Sequence, residues 1–94
     1  MPTYILLSNL TDDGAEKIIK HPERIQEVNQ ELENMGVKVT AQFAVLGPYD
    51  FVNVVEAPDN QTIARVSAQM GARGSVKITT LAAMPIEEFI TGLK

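Results

Sequence analysis

The only histidine of the chain, His21, lies among cationic side chains that could give it a chemical role. Its neighbours in the sequence include Lys17, Lys20 and Arg24. An imidazole titrates near neutral pH, and neighbouring cations can hold a carboxylate or a phosphate. The segment therefore indicates either an acid–base group or an anion site. The alternative is an exposed histidine beside Pro22, where a helix is interrupted, and we favour it because no partner motif accompanies the cluster.

The turn Gly47-Pro48-Tyr49-Asp50 carries a second candidate pair. Tyr49 and Asp50 could exchange protons at the mouth of a pocket. An aspartate in a turn, however, commonly accepts hydrogen bonds from nearby backbone, and a tyrosine ring often anchors a turn by packing. We therefore expect Gly47, Tyr49 and Asp50 to act structurally.

Other chemistries lack the residues that they need. The chain has no cysteine, one histidine and scattered carboxylates, so we expect no metal site. No nucleophile elbow, Walker loop or dinucleotide-binding glycine pattern occurs, and Gly71 and Gly74 follow a predicted helix instead of preceding one. Ser8 and Ser67 have no convincing base. The sequence predicts neither a cofactor nor nucleophilic catalysis.

Composition limits the class of protein. The 94 residues include 8 Lys and Arg against 12 Asp and Glu, and the net charge of -4 opposes binding to a phosphate backbone, so we expect no nucleic acid partner. No apolar run approaches the ~20 residues of a membrane-spanning helix, and no basic stretch precedes an apolar one at the N-terminus. We expect one domain over residues 1–94, in the cytoplasm and without a membrane partner.

Hydrophobic patterning divides the chain into strands and helices. Apolar runs or alternation predict four strands, at Thr3–Ser8, Val37–Leu46, Phe51–Ala57 and Ser75–Ala83. Helical spacing predicts a helix over Thr11–Met35, which Pro22 should kink or break. A second helix should begin after the cap Asp59, and Pro85 should start a short closing helix. The buried positions of the second helix are predicted at Ile63, Val66 and Met70.

The order of these elements predicts the fold. Two strand–helix–strand units with right-handed crossovers form a four-stranded antiparallel sheet with both main helices on one face. This is the ferredoxin-like βαββαβ arrangement, of the α+β class, here with an added C-terminal helix. The other face of the sheet is left open, and a second copy of the chain is its simplest partner, so we expect a homodimer or a higher homo-oligomer.

We take the more apolar side of each strand as the side beneath the helices. The predicted core residues are Ile5, Leu7, Val39, Phe43, Val52, Val54, Val76 and Ile78. The predicted residues of the open face are Tyr4, Leu6, Ser8, Lys38, Thr40, Gln42, Phe51, Asn53, Val55, Lys77, Thr79 and Leu81.

Polar groups enclosed between two such open faces would line a cavity, which is the usual setting of a small-ligand site. We therefore predict that Tyr4, Asn53 and Lys77 contact a small polar or anionic ligand. The cluster of Lys17, His21 and Arg24 would add the positive charge that an otherwise acidic chain lacks. A simple dimer seam is the alternative interpretation of this face.

Matched segments run through nearly the whole chain in a characteristic order. They are Tyr4 at the first strand, Asn9-Leu10-Thr11, Gly14, Arg24, Gly47 with Tyr49-Asp50-Phe51-Val52, Glu56-Ala57-Pro58-Asp59, and Thr80-Leu81 followed by Ala83. In these segments the chain resembles the GYD-domain family of small bacterial and archaeal proteins. The resemblance implies a ferredoxin-like fold in the broad group of dimeric alpha-beta barrels. It departs from the family pattern at Met84-Pro85, where a threonine-type cap would be usual.

We predict a homo-oligomeric, non-catalytic module that binds a small ligand or another protein. The alternative is a cofactor-independent, monooxygenase-like enzyme with its chemistry between the sheets, because related barrels outside the family include such enzymes. A fold alone does not carry a chemistry. The single histidine, placed off the sheet face, argues against the enzyme.

Overall fold

The computed structural model describes residues 1–94. Its elements are β1 (Thr3–Leu10), α1 (Asp12–Lys20), α2 (Arg24–Asn34), β2 (Lys38–Ala44), β3 (Phe51–Glu56), α3 (Asn60–Ala72), β4 (Val76–Ala83) and α4 (Ile86–Leu93). The four strands pair antiparallel in the order β2-β3-β1-β4. The predicted ferredoxin-like α+β fold is therefore confirmed. No helix has the length and apolar composition needed to cross a membrane.

Local sequence signals explain most element boundaries. The predicted break at Pro22 is confirmed, because α1 ends at Lys20 and α2 begins at Arg24. Asp59 caps α3 as expected, accepting a hydrogen bond of 2.8 Å from the backbone N–H of Thr62. Strand β1 runs two residues further than predicted, to Leu10, because its end continues to pair with the start of β4.

The start of α1 is fixed to the start of β4 through the backbone. The N–H of Thr11 donates to the carbonyl of Ser75 at 3.0 Å, and the Thr11 hydroxyl donates to the carbonyl of Gly74 at 2.7 Å. Gly14, in the first turn of α1, is buried against this segment, and a Cβ at that position would lie 2.0 Å from the Ser75 carbonyl oxygen. Only glycine allows the helix to approach the strand this closely.

The hydrophobic core lies between the helices and one face of the sheet, which we call the covered face. Its fully buried members are Tyr4, Leu6, Leu32, Val37, Val55, Ala57, Ile63, Val66 and Met70. The buried positions predicted for α3 are thus confirmed. The Tyr4 hydroxyl donates to Oδ1 of Asn60, which satisfies the one polar atom of that ring.

The predicted faces are wrong for β1 and β3. Tyr4, Leu6 and Ser8 are buried on the covered face, not exposed on the open one. The register places Val55, Asn53 and Phe51 opposite them, hence on the same face. The residues predicted for the core, Ile5, Leu7, Val52 and Val54, lie on the open face. Strand β1 is apolar on both sides, so hydrophobicity alone cannot tell which side the helices cover.

A β-bulge overturns part of the prediction for β2. Val39 lies opposite Val55 and Ala41 lies opposite Val54, so Thr40 is an extra residue between them. Beyond the bulge the faces exchange: Phe43 points to the open face and Gln42 to the covered face. Val39 and Lys38 precede the bulge and keep their predicted faces. Strand β4 also follows the prediction, with Val76 and Ile78 covered and Lys77, Thr79 and Leu81 open.

The turn before β3 clamps the end of β1. Oδ2 of Asp50 accepts a hydrogen bond of 2.8 Å from the N–H of Leu10, and the N–H of Asp50 donates to the carbonyl of Ser8 at 2.9 Å. Asp50 therefore serves the backbone, in the way that turn aspartates do. Gly47 begins this turn with φ of +138°, a conformation that L-residues with side chains rarely adopt.

Replacing Gly47 by valine should destabilise the protein by about 1–3 kcal/mol, because a β-branched residue is strained at this φ although no atom lies within 4 Å of its Cβ. Gly71→Ala is the matched control. It lies within α3, also has open space at its Cβ, and should stabilise by about 0.4–1 kcal/mol. Thermal unfolding followed by circular dichroism measures both. An unchanged melting temperature for Gly47→Val would contradict the strained turn.

Candidate functional site

The open face of the sheet is the first candidate surface. Apolar side chains form two adjacent rows across the strands. In the order β2, β3, β1, β4, the first row is Ala41, Val54, Ile5 and Leu81, and the second is Phe43, Val52, Leu7 and Thr79. Phe43 is 56% exposed and Leu81 is 43% exposed, so this surface is large, apolar and accessible.

Charged groups flank these two rows along the strand direction and do not lie within them. At one end Lys38 lies directly opposite Glu56, and at the other end Lys77 projects beside Asn9. An apolar centre with a polar rim is the composition of a protein interface. The centre carries no histidine, carboxylate or other acid–base group.

Helix α4 is the second candidate surface. None of its residues is buried, and it has almost no packing contact with the other elements. The radius of gyration, 14.1 Å, exceeds the roughly 12 Å typical of a compact domain of this length, in keeping with a projecting segment. One side of α4 is nonetheless apolar at helical spacing, through Ile86, Phe89, Ile90 and Leu93. A helix this short is marginal in water without packing.

The third candidate lies on the covered face, between the sheet and the helices, and we call it the helix-side cavity. Its volume is about 330 Å³. The apolar lining residues are Leu10, Ile18, Ile25, Val28, Leu32, Phe51, Met70 and Val76. The polar and small ones are Gly14, Lys17, Arg24, Asn29, Gln42, Asn53, Arg73 and Ser75. A mostly apolar cavity with a few polar groups is typical of small-molecule sites.

A network of ion pairs stands at this cavity. Glu31 of α2 pairs with Nη1 of Arg24 at 3.2 Å and also with Arg73, which follows the end of α3. Arg24 additionally pairs with Glu27 at 3.2 Å. The hydrogen bond from Arg73, reinforced by the charge of both arginines, holds the pKa of Glu31 below the usual value of a glutamate. Glu31 therefore stays ionised and links α2 to the end of α3.

The structure separates the predicted ligand contacts. Tyr4 is in the core and bonded to Asn60, Asn53 faces the helix-side cavity, and Lys77 lies on the open face. The prediction that these three converge in a cavity between two sheets is therefore wrong. The reason is the exchange of faces in β1 and β3, which moves Tyr4 and Asn53 beneath the helices.

The predicted cationic cluster does come together. Lys17, His21 and Arg24 line a shallow surface depression beside α1 and α2. Glu23 and Glu27 line it as well, and Nδ1 of His21 lies 3.6 Å from Glu23. The cluster thus carries its own counter-ions. No apolar residue lines this depression.

Lys17 and Arg24 also line the helix-side cavity, as Asn53 does. Two further residues that line this cavity, Arg73 and Phe51, were not among the predicted site residues. Arg73 belongs to the segment that ends α3, where composition indicates only a helix stop. Phe51 was expected on the open face. A correct face for β3 would have placed it here, but the alternation in that strand is too weak to decide the face.

The chain is similar to a known protein family and to two proteins of Thermus thermophilus. A family model described as "GYD domain" matches residues 4–92. A protein of Thermus thermophilus, named "Glutamine synthetase and cystathionine beta-lyase binding protein", is 63% identical over 95 residues, covering 100% of this chain and 100% of that protein. The crystal structure of another small protein, TTHA0845 of Thermus thermophilus, superposes with a TM-score of 0.59 at 23% identity. It covers 90% of this chain and 95% of its own. At this level of identity, the similarity to the crystal structure shows a shared fold alone.

Glu31→Gln should lower stability at neutral pH but not in acid. A carboxylate whose pKa is depressed in the folded state stabilises that state above its unfolded pKa of about 4.3. The stabilisation is lost as the pH falls through the lower, folded pKa. Because the group is near the surface, we expect a difference below about 1 kcal/mol.

Melting temperatures of wild type and Glu31→Gln between pH 3 and pH 7 test this expectation. Glu33→Gln is the matched control, since Glu33 is an exposed glutamate of the same helix. A difference for Glu31→Gln that persists unchanged at pH 3 would show that the ion pairs are not its cause.

Proposed function

Because this chain belongs to the GYD domain family, we propose that it is a non-catalytic protein-binding module that works as a homodimer and docks onto metabolic enzymes. The observation that carries the proposal is the pair of apolar surfaces, on the open face and on α4, that the chain itself leaves uncovered. The relative from Thermus thermophilus supports it, because that protein's name states that it binds a glutamine synthetase and a cystathionine β-lyase. We propose enzymes of these two kinds as the partners here.

The open face is assigned to a second copy of the chain. Two such faces can stack about a two-fold axis and bury the same rows on both copies. Burying a large apolar side chain is worth about 1.5–3 kcal/mol, and each copy offers several of them. Lys38 and Glu56 lie side by side at the rim, so opposite charges are available to fix the orientation of the two copies.

Helix α4 is assigned to the partner enzyme. An amphipathic helix that lies apart from its own domain can place an apolar stripe into a groove of another protein. Phe89 is 51% exposed and supplies an aromatic anchor of the kind that dominates binding energy. A single short helix needs only a small groove, which two different enzymes can each provide.

The residues at the open face favour binding over catalysis. An enzyme with its chemistry between the sheets would need acid–base groups there, and two of the three residues predicted as ligand contacts in that space, Tyr4 and Asn53, lie on the other side of the sheet. The charged residues that the strands place on this side, Lys38, Glu56 and Lys77, lie at its edges and not in its centre. This distribution supports the binding module over the monooxygenase-like alternative.

Light scattering after size exclusion tests the homodimer. Wild type should have twice the chain mass at micromolar concentration, and Phe43→Asp should shift it to the monomer, because a charge buried in an apolar seam is costly without a partner. Leu46→Asp is the control, since Leu46 is an apolar residue on the hairpin turn that is even more exposed than Phe43. A wild-type monomer, or a dimer that survives Phe43→Asp, would contradict the assignment.

Surface plasmon resonance with purified glutamine synthetase and cystathionine β-lyase of the same organism tests the partner. We expect wild type and Leu46→Asp to bind, and Phe89→Asp to weaken binding at least about tenfold, a loss of about 1.4 kcal/mol, while the dimer persists. Failure of wild type to bind either enzyme would overturn the proposed function. Unchanged binding by Phe89→Asp would show that α4 is not the surface that contacts the enzyme.

A further inference from the structure

The charged side chains that line the helix-side cavity have the sign opposite to the net charge of the chain. The chain carries a net charge of -4, yet the charged residues that line the cavity are Lys17, Arg24 and Arg73, without any carboxylate. Their counter-ions are not among the lining residues: Asp13 pairs with Lys17, Glu31 pairs with both arginines, and Glu27 pairs with Arg24. The wall therefore presents cations to the cavity while the carboxylates lie outside its lining.

The two guanidinium groups retain donors for a ligand. Each carries several N–H donors in a planar fork that matches a carboxylate. Arg24 uses Nη1 for both of its ion pairs, and Arg73 uses Nη2 for Glu31. The remaining N–H groups are not committed to these pairs, so an incoming carboxylate can be held without first breaking the network.

The side chain of Asn53 indicates that the ligand also carries a hydrogen-bond donor. Its Oδ1 atom is buried, and no protein group donates to it. The amides of Asn29 and Gln42, which line the same cavity, bond to each other at 2.8 and 3.1 Å, and neither donates to Asn53. A buried acceptor left unpaired costs free energy, and in a native structure it calls for an explanation. A donor on a ligand would pair this atom.

We propose that the helix-side cavity binds a small organic acid with an apolar body and one hydroxyl or N–H donor. Arg24 and Arg73 hold the carboxylate, the apolar walls that include Phe51 and Met70 surround the body, and Asn53 accepts from the donor. The volume of about 330 Å³ lies at the lower end of the range of roughly 300–1,000 Å³ for ligand pockets, so the acid is a small one.

This site is independent of the proposed protein-binding surfaces. The cavity opens on the covered side of the sheet, and the apolar rows proposed for the dimer are on the other side. Loss of one function therefore leaves the other measurable on the same variants, by light scattering for the dimer and by ligand titration for the cavity.

Isothermal titration with a panel of hydroxy acids tests the site. The panel is 4-hydroxyphenylacetate, 3-phenyllactate and 2-hydroxyisocaproate, each with its neutral amide, and phenylacetate as the acid without a donor. We expect at least one hydroxy acid to bind saturably and at least tenfold more tightly than its amide. Arg73→Gln and Arg24→Gln should each weaken it tenfold or more. Arg65→Gln, which removes an exposed cation of α3 outside the cavity, should not.

Asn53→Leu separates the ligand site from a structural role. We expect it to keep or raise the melting temperature, because it replaces a buried unpaired acceptor by an apolar group. It should also abolish the preference for 4-hydroxyphenylacetate over phenylacetate. Three results would overturn the proposal: no saturable binding by any acid of the panel, equal binding of acids and amides, or an equal loss with Arg65→Gln.

Discussion

Strand β1 is apolar on both of its sides, and the arrangement of the whole molecule depends on that property. It is a central strand, between β3 and β4, and its side chains contribute to the middle of both faces of the sheet. Tyr4 and Leu6 pack beneath the helices, whereas Ile5 and Leu7 lie in the middle of the open face. The helices of one chain can cover only one side. The hydrophobic free energy of the other side therefore remains available for association.

The covered side is itself unevenly filled. At its start α1 reaches the sheet backbone through Gly14 and Ser75, but it contributes no other fully buried residue. The break at Pro22 then redirects the chain before α2 supplies Leu32 to the core. The space between the close contact and the core becomes the helix-side cavity, and the ion pairs of Glu31 join the two helices that flank it. The cavity thus has the close contact of Gly14 with Ser75 at its lining and the ion pairs of Arg24 and Arg73 beside it.

The sequence predicted the order of elements, the helix break and the caps, because each depends on neighbouring residues such as Pro22 and Asp59. The resemblance to the family was also visible in the sequence, because it rests on short segments of neighbouring residues. The sequence failed where a decision needed information from a distance. The face of β1 depends on where the helices pack, and the alternation in β2 does not mark Thr40 as an extra residue. Because the true face of β3 is the covered one, Asn53 lies on the opposite side of the sheet from Lys77. It lines the helix-side cavity together with Arg73, which is distant in the sequence from Lys17 and Arg24.

The bulge at Thr40 makes the length of β2 as informative as its composition. A chain of this fold that lacked Thr40 would pair without a bulge and would keep Phe43 on the open face and Gln42 on the covered face, because Ala41 would then follow Val39 directly in the ladder. Counting the alternation from Val39 would assign the faces correctly in such a chain, although it assigns them wrongly in this one. A one-residue gap between Val39 and Ala41 would thus mark the loss of the bulge without a change in what the two sides of the sheet present.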